Sequence, residues 1–393
     1  MCGSLGGVDV TLNVLLFVPL GAALALAGVG RARAVILGLL ATLTIETLQG
    51  TLIPGRDAAL GDVVMNTLGT LLGFELARTR TRWLLPDRAT AMRLAVVAAI
   101  TWLGILVASL QLLRPAAATG TLMVDPHPAS VFIRPFDGRV TALALNGTAL
   151  RTDTPTEVEA GSWSGPRIDM TLRADPTAGS RTGAIVRIAE STTDREFTML
   201  ARRGDALTFR PRTRGMDLML RGPLLELSNV FVAGDADMPH DLYVTAGRSG
   251  WTLYARVQGG ASVRMALRAS HGWTLIAPFT IPLTRYAPWL SIAWMATLVL
   301  PVGYWSAAAL ATQSRRDVLL PVVAYTVLAA AGMVGTSWVF DAPMPEWGDF
   351  AGVAIGLACG SVLARTLVGR RQRSATFTHA SGERPPASGR RGP

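Results

Sequence analysis

Seven apolar stretches, near residues 9–29, 34–53, 59–77, 91–113, 288–312, 318–340 and 349–368, dominate the sequence. Each is about 20 residues long, the length a helix needs to cross roughly 30 Å of hydrocarbon. Lipid offers no hydrogen-bond partners, so such stretches fold as helices. The chain therefore reads as an α-helical multi-pass membrane bundle of about seven spans. Half of its 393 residues are hydrophobic and 16% are charged, too apolar and too charge-poor for an ordinary soluble domain. No basic segment precedes the first stretch and no small-residue cleavage site follows it, so it reads as a span rather than a signal peptide.

Arginine sets the orientation. The formal charge of +10 comes from arginine alone, since the sequence contains no lysine, and this reads as compositional bias rather than as a nucleic-acid footprint. No nucleic-acid partner is expected. The short basic loops are Arg31/Arg33, Arg78 to Arg93, Arg315/Arg316 and Arg365 through Arg373, which is every second connection. Under the positive-inside rule, they lie on the cytoplasmic side of the membrane. The N-terminus and residues 114–287 then lie outside, and the C-terminus inside.

Residues 114–287 change character. Apolar runs shorten to strand length and alternate, as in "RIDMTLRAD", "AIVRIAES" and "WTLYARVQG", where Trp251, Leu253, Ala255 and Val257 share one face. Asp137-Gly138, Asn146-Gly147 and Ser249-Gly250 are hairpin-type dipeptides between such runs. An extracytoplasmic all-β sandwich, large enough to bury its own core, is expected here. It separates a membrane domain at 1–113 (four spans) from one at 288–368 (three spans). Residues 369–393, basic and rich in Pro, Ser and Gly, read as a disordered cytoplasmic tail.

The two membrane domains share a pattern. Pro19-x-Gly21, Arg31/Arg33 and Gly61-Asp62-x6-Gly69-x3-Gly73 recur as Pro301-x-Gly303, Arg315/Arg316 and Gly348-Asp349-x6-Gly356-x3-Gly360. Three helices on each side of the sandwich would form related repeats, packed through Pro19, Gly21, Gly69, Gly73, Gly356 and Gly360, because small residues let helix backbones approach. Each Asp falls at the start of a helix, where a carboxylate caps free amides. Asn66 is matched by Val353, and the second copy has no embedded acid corresponding to Glu46. The chemistry is therefore expected in the first copy.

Ionisable groups in hydrocarbon cost about 2.5–3.5 kcal/mol on insertion scales and face a bundle interior or a water-filled cavity. Glu46 and Gln49 lie one turn apart at the outer end of the second span, Asp62 and Asn66 one turn apart at the start of the third, with Asn13 at similar depth and Arg56 in the loop between. These six residues are the candidate ligand pocket, open to the outside. A network that only locks the helices together is the simpler alternative.

The pattern "NVLLFVPLG", "IETLQ", an arginine and "GDVVMNTLGTLLG" resembles the VanZ-like family of bacterial membrane proteins, over about residues 10–78. The resemblance falls on Asn13, Phe17, Pro19, Gly21, Glu46, Gln49, Arg56, Asp62, Asn66, Gly69 and Gly73, and it implies a cell-envelope role linked to glycopeptide (teicoplanin) susceptibility. Family members usually carry a further helix before this segment. A second resemblance, of "GAIVRIAESTTDREFTMLARRGDALTFRPRT" to the central strands of a laminin G or concanavalin A-like jelly roll, implies glycan binding, with Asp235 and Asp237 as possible calcium ligands or a solvated loop.

The expected partners are the lipid bilayer and a cell-wall glycan or lipid-linked precursor. No cofactor and no metal is expected. The sequence has no H-E-x-x-H, no P-loop and no G-x-S-x-G elbow. Two other readings stay open. One is an enzyme on a lipid-linked envelope substrate, with Glu46 as general acid or base and Arg56 on a phosphate or carboxylate. The other is an anchor that only displays the sandwich.

Overall fold

The computed structural model describes residues 6–52, 59–118, 120–129, 134–160, 167–174, 182–231, 240–310 and 315–380. Five helices come first: α1 (Gly7–Leu26), α2 (Arg31–Leu52), α3 (Leu60–Arg78), the short α4 (Arg80–Leu84) and α5 (Arg88–Leu113). Twelve strands follow: β1 (Thr121–Asp125), β2 (Arg139–Leu145), β3 (Thr148–Leu150), β4 (Thr156–Glu159), β5 (Arg167–Ala174), β6 (Thr182–Glu190), β7 (Glu196–Arg203), β8 (Ala206–Pro211), β9 (Leu225–Leu227), β10 (His240–Ser249), β11 (Thr252–Val257) and β12 (Ser262–Ala266). Then come the short α6 (Trp273–Ile276), α7 (Leu283–Ala309), α8 (Arg315–Val339) and α9 (Trp347–Ala380).

Each of the seven apolar stretches holds a helix among its described residues. Five of these helices are long and apolar enough to cross a membrane: α1, α2, α5, α7 and the Trp347–Val368 part of α9. α3 falls short because Asp62, Asn66 and Glu75 interrupt it, and α8 contributes a shorter apolar stretch, Val323–Val339. Leu16, Leu40, Leu68, Ile100 and Leu328 are exposed along the helices, a surface suited to lipid. Exposed Trp289, Trp338 and Trp347 mark the ends of α7, α8 and α9 that adjoin the sandwich, where amphipathic rings favour the membrane interface.

The shared glycine pattern appears in two helix crossings. α1 packs against α3, and α7 against α9. A Cβ on Gly21 would lie 1.8 Å from the Thr70 carbonyl oxygen, and one on Gly303 2.5 Å from that of Leu357. From the opposing helices, a Cβ on Gly73 would lie 1.9 Å from the Val18 carbonyl oxygen and one on Gly360 2.3 Å from that of Leu300. Matched glycines thus occupy matched crossings.

Two antiparallel six-stranded sheets, ordered β4-β1-β6-β7-β8-β9 and β12-β11-β10-β5-β2-β3, stack face to face. Their period-two alternation turns Leu122, Ile188, Leu200 and Phe209 of one sheet toward Ile168, Leu172, Val244 and Leu253 of the other, all fully buried. Asn146-Gly147, both at positive φ (51° and 86°), form the tight turn between β2 and β3. Gly250 (φ 54°) opens the two-residue loop between β10 and β11.

Three expectations need correction. Asp137-Gly138 is not a hairpin. Pro135 bridges Ala184 in the first sheet and Arg139 pairs with Arg173 in the second, so the dipeptide carries the chain across the sandwich. The first helix after the sandwich starts earlier than expected: α7 begins at Leu283 rather than 288, and its buried Leu283 and Ala287 pack into the sandwich core. The terminal helix runs to Ala380, past the expected tail boundary at 369, because Gly369 costs only about 1 kcal/mol in a helix and the next eleven residues include no proline. Residues 381–393, with the prolines, lie outside the described residues.

Arginines key the sandwich to the helices. Buried Arg248 at the end of β10 donates to the Leu113 carbonyl at the C-terminus of α5 (2.8 Å), where a cation complements the helix dipole. Desolvation lowers its pKa to about 9. Arg268, after β12, pairs with Glu346 and, at 3.4 Å, with Asp349 of α9. At the other end of the bundle, Trp305 of α7 donates to the Trp83 carbonyl of α4 (2.8 Å).

Candidate functional site

The glycines that let α1 close on α3 also bring the polar ends of α1, α2 and α3 together. α2 turns Thr42 and Glu46, one turn apart, toward α3, and both are buried. Asn66 of α3, 3% exposed, donates its side-chain amide to Thr42 Oγ1 at 2.8 Å. Its carbonyl oxygen Oδ1 is buried and accepts nothing from the described residues. Glu46 Oε2 accepts the backbone N–H of Ala59, the residue that precedes α3, at 3.1 Å. One turn before Asn66, Asp62 Oδ1 accepts the Asn13 amide of α1 at 2.6 Å.

Four of the six sequence candidates, Asn13, Glu46, Asp62 and Asn66, therefore sit on adjoining helices in one polar layer. Gln49 is half-buried one turn beyond Glu46 and has no hydrogen-bond partner among the described residues. Arg56 lies outside the described residues, as do Asp235 and Asp237. Sequence reasoning missed Thr42, although its i, i−4 relation to Glu46 was the available signal. It also missed Gly38, where a Cβ would lie 2.5 Å from Thr70 Oγ1, so that α2 can approach α3.

The expected parallel between Asp62 and Asp349 holds only for the second. Asp349 Oδ2 accepts the N–H of Glu346, immediately before α9, at 2.9 Å, a true cap. In the first copy Glu46 takes that amide from the neighbouring helix, which leaves Asp62 to bind Asn13. The rest of the second copy is closed. Met295 and Val353, which match Asn13 and Asn66, are buried with Trp102 and Leu106 of α5, and Arg268 neutralises Asp349. The first copy keeps the polar side chains.

The arrangement is rich in acceptors. Asn66 Oδ1 and the second carboxylate oxygen of Glu46 are left without donors from the described residues. They suit hydroxyl, amide or ammonium groups. A lock made only of protein has no use for an orphaned buried acceptor, because leaving one unmade costs about 1–3 kcal/mol.

Residues 4–83, about one fifth of the 393, match the model of the VanZ/LLP1 family, a segment that runs from the start of α1 into α4 and includes every residue of this polar layer. No curated protein and no solved structure matches the chain.

Proposed function

We propose that this membrane protein, whose residues 4–83 form a VanZ-like domain, binds a donor-bearing component of the bacterial cell envelope in the polar layer of its first helical repeat. The ligand is a sugar or lipid-linked precursor, and binding alters glycopeptide susceptibility. The observation that carries this reading is Asn66: a buried amide whose oxygen has no partner among the described residues and whose N–H donates to Thr42, one turn from Glu46 on α2. In this reading the sandwich and the adjoining helix ends face outward and the arginine-rich connections lie in the cytoplasm. Support comes from the alternation of basic loops and from the tryptophans at the helix ends beside the sandwich.

A deletion strain complemented with wild type or with Glu46→Gln, at equal protein level, tests it through teicoplanin susceptibility and lipid and glycan profiles. A binder predicts altered susceptibility with every envelope product still present. A missing product would instead identify an enzyme, and wild-type behaviour of Glu46→Gln would identify an anchor.

A further inference from the structure

The outer face of the second sheet carries a charge arrangement that neither the core nor the docking to the helices uses. Val244, Ala246, Leu253 and Ala255 point into the sandwich, so Thr245, Gly247, Tyr254 and Arg256 point out. Strand register arranges this face in rows. Tyr254 stands between Arg264 on β12 and Gly247 on β10, and Gly247 in turn faces Arg167 on β5. In the next row Arg256 faces Thr245, which faces Asp169. Because Gly247 has no side chain, Tyr254 and Arg167 border a gap about 10 Å across, two interstrand spacings. The resulting hollow has a volume of about 580 Å³.

Two of its lining residues are already paired: buried Asp169, beneath the hollow, accepts Arg167 at 3.0 Å and the Thr245 hydroxyl at 2.8 Å. Two others are not. Arg256 and Arg264 are exposed and have no carboxylate or carbonyl partner among the described residues, so the hollow carries uncompensated positive charge beside a half-buried tyrosine ring. Guanidinium forks favour carboxylate or phosphate, and a tyrosine face offers a rigid apolar platform. Ser249 and Ser262 also line the hollow, and their hydroxyls suit the hydroxyls of a sugar. A ligand that combines anionic groups with a ring and hydroxyls satisfies all three.

We propose that this hollow binds an acidic glycan, a sugar polymer bearing carboxylate or phosphate groups. The proposal rests on the outward placement of the sandwich in the reading above, and it names a ligand class and a site separate from the membrane layer. Binding to purified protein tests the hollow, whereas the cellular behaviour of Glu46→Gln tests the membrane layer, so either can fail alone.

The test uses the full-length chain in detergent micelles. The probes are an oligogalacturonate, a phosphorylated oligosaccharide of matched length, a neutral oligosaccharide and a single-stranded oligonucleotide. At least one acidic glycan is expected to bind, and which of the two binds identifies the anionic group. The neutral sugar should not. Arg256→Ala with Arg264→Ala should weaken binding at least ~10-fold, as should loss of two charge-assisted forks. Arg256→Lys with Arg264→Lys should lose less, because lysine keeps the charge although it lacks the fork. Arg151→Ala, at an ion pair with Asp153 elsewhere, is the arginine control. Equal affinity of the double lysine variant, the double alanine variant and wild type would overturn the proposal. So would oligonucleotide binding as tight as that of the glycans, or no binding of either acidic glycan to wild type.

Discussion

Glu46 on α2 caps a helix to which it does not belong: its carboxylate accepts the N–H of Ala59, at the threshold of α3, while Asp62 inside α3 turns to Asn13 of α1. The expected helix cap and the candidate ligand residue have exchanged roles. Glu46→Gln keeps a carbonyl acceptor and should melt within a few degrees of wild type. Glu46→Ala loses the cap and should be less stable by about 1 kcal/mol. A thermal melt in detergent separates the two, and a Gln variant as unstable as the Ala variant would mean that the charge itself holds the helices.

The sequence groups Arg56, which lies outside the described residues, with Glu46 of the polar layer, and residues that act as a unit are coupled. Arg56→Ala should match Glu46→Gln in envelope phenotype, and the double variant should be little worse than either single one. The measurement is teicoplanin susceptibility at equal protein level. Fully additive losses would assign these residues to separate structural tasks.

The glycine crossings predict asymmetric tolerance. Gly21→Ala and Gly303→Ala place a methyl group against a carbonyl on the facing helix and should destabilise by about 1–3 kcal/mol each. Gly104→Ala, whose Cβ meets nothing within 4 Å, should be neutral or slightly stabilising. Equal melting of all three variants would refute the close crossings.

Arg268 neutralises the buried Asp349 from the sandwich side. Arg268→Ala should cost about 3–5 kcal/mol, because it leaves a buried carboxylate unpaired, and Asp349→Asn in the same chain should recover much of that loss. Unfolding of the two single variants and the double variant checks the coupling. No recovery in the double variant would place the cost in lost packing instead.

His271, fully buried between the sandwich and α7, has its pKa lowered from 6.5 to about 3, first by desolvation and next by the Arg268 charge. The unfolded imidazole gains a proton as pH falls through about 6.5, whereas the folded one stays neutral down to about 3. Stability from this group is therefore complete above pH 6.5 and declines below it, by up to ~1.4 kcal/mol per pH unit. His271→Gln, which still offers an acceptor to the Arg268 N–H, should flatten the slope of unfolding free energy between pH 6.5 and 4. An unchanged slope would falsify the assignment.

The apolar runs settled the helices, and period-two alternation settled the sandwich, because burial patterns of this kind are properties of a short stretch of chain. The glycine spacing likewise announced the two matched crossings, since close backbone approach demands a missing side chain wherever it occurs. Partner choice was not legible. That Glu46 serves Ala59, that Thr42 rather than Gln49 meets Asn66, and that Arg268 reaches Asp349 depend on helix rotation and crossing, which no local period encodes. The same reason explains the sandwich boundary. Leu283 and Ala287 read as part of the sandwich segment, and only the folded chain puts them in the first turns of α7 while laying them against the β core, because long-range packing decides where a helix starts.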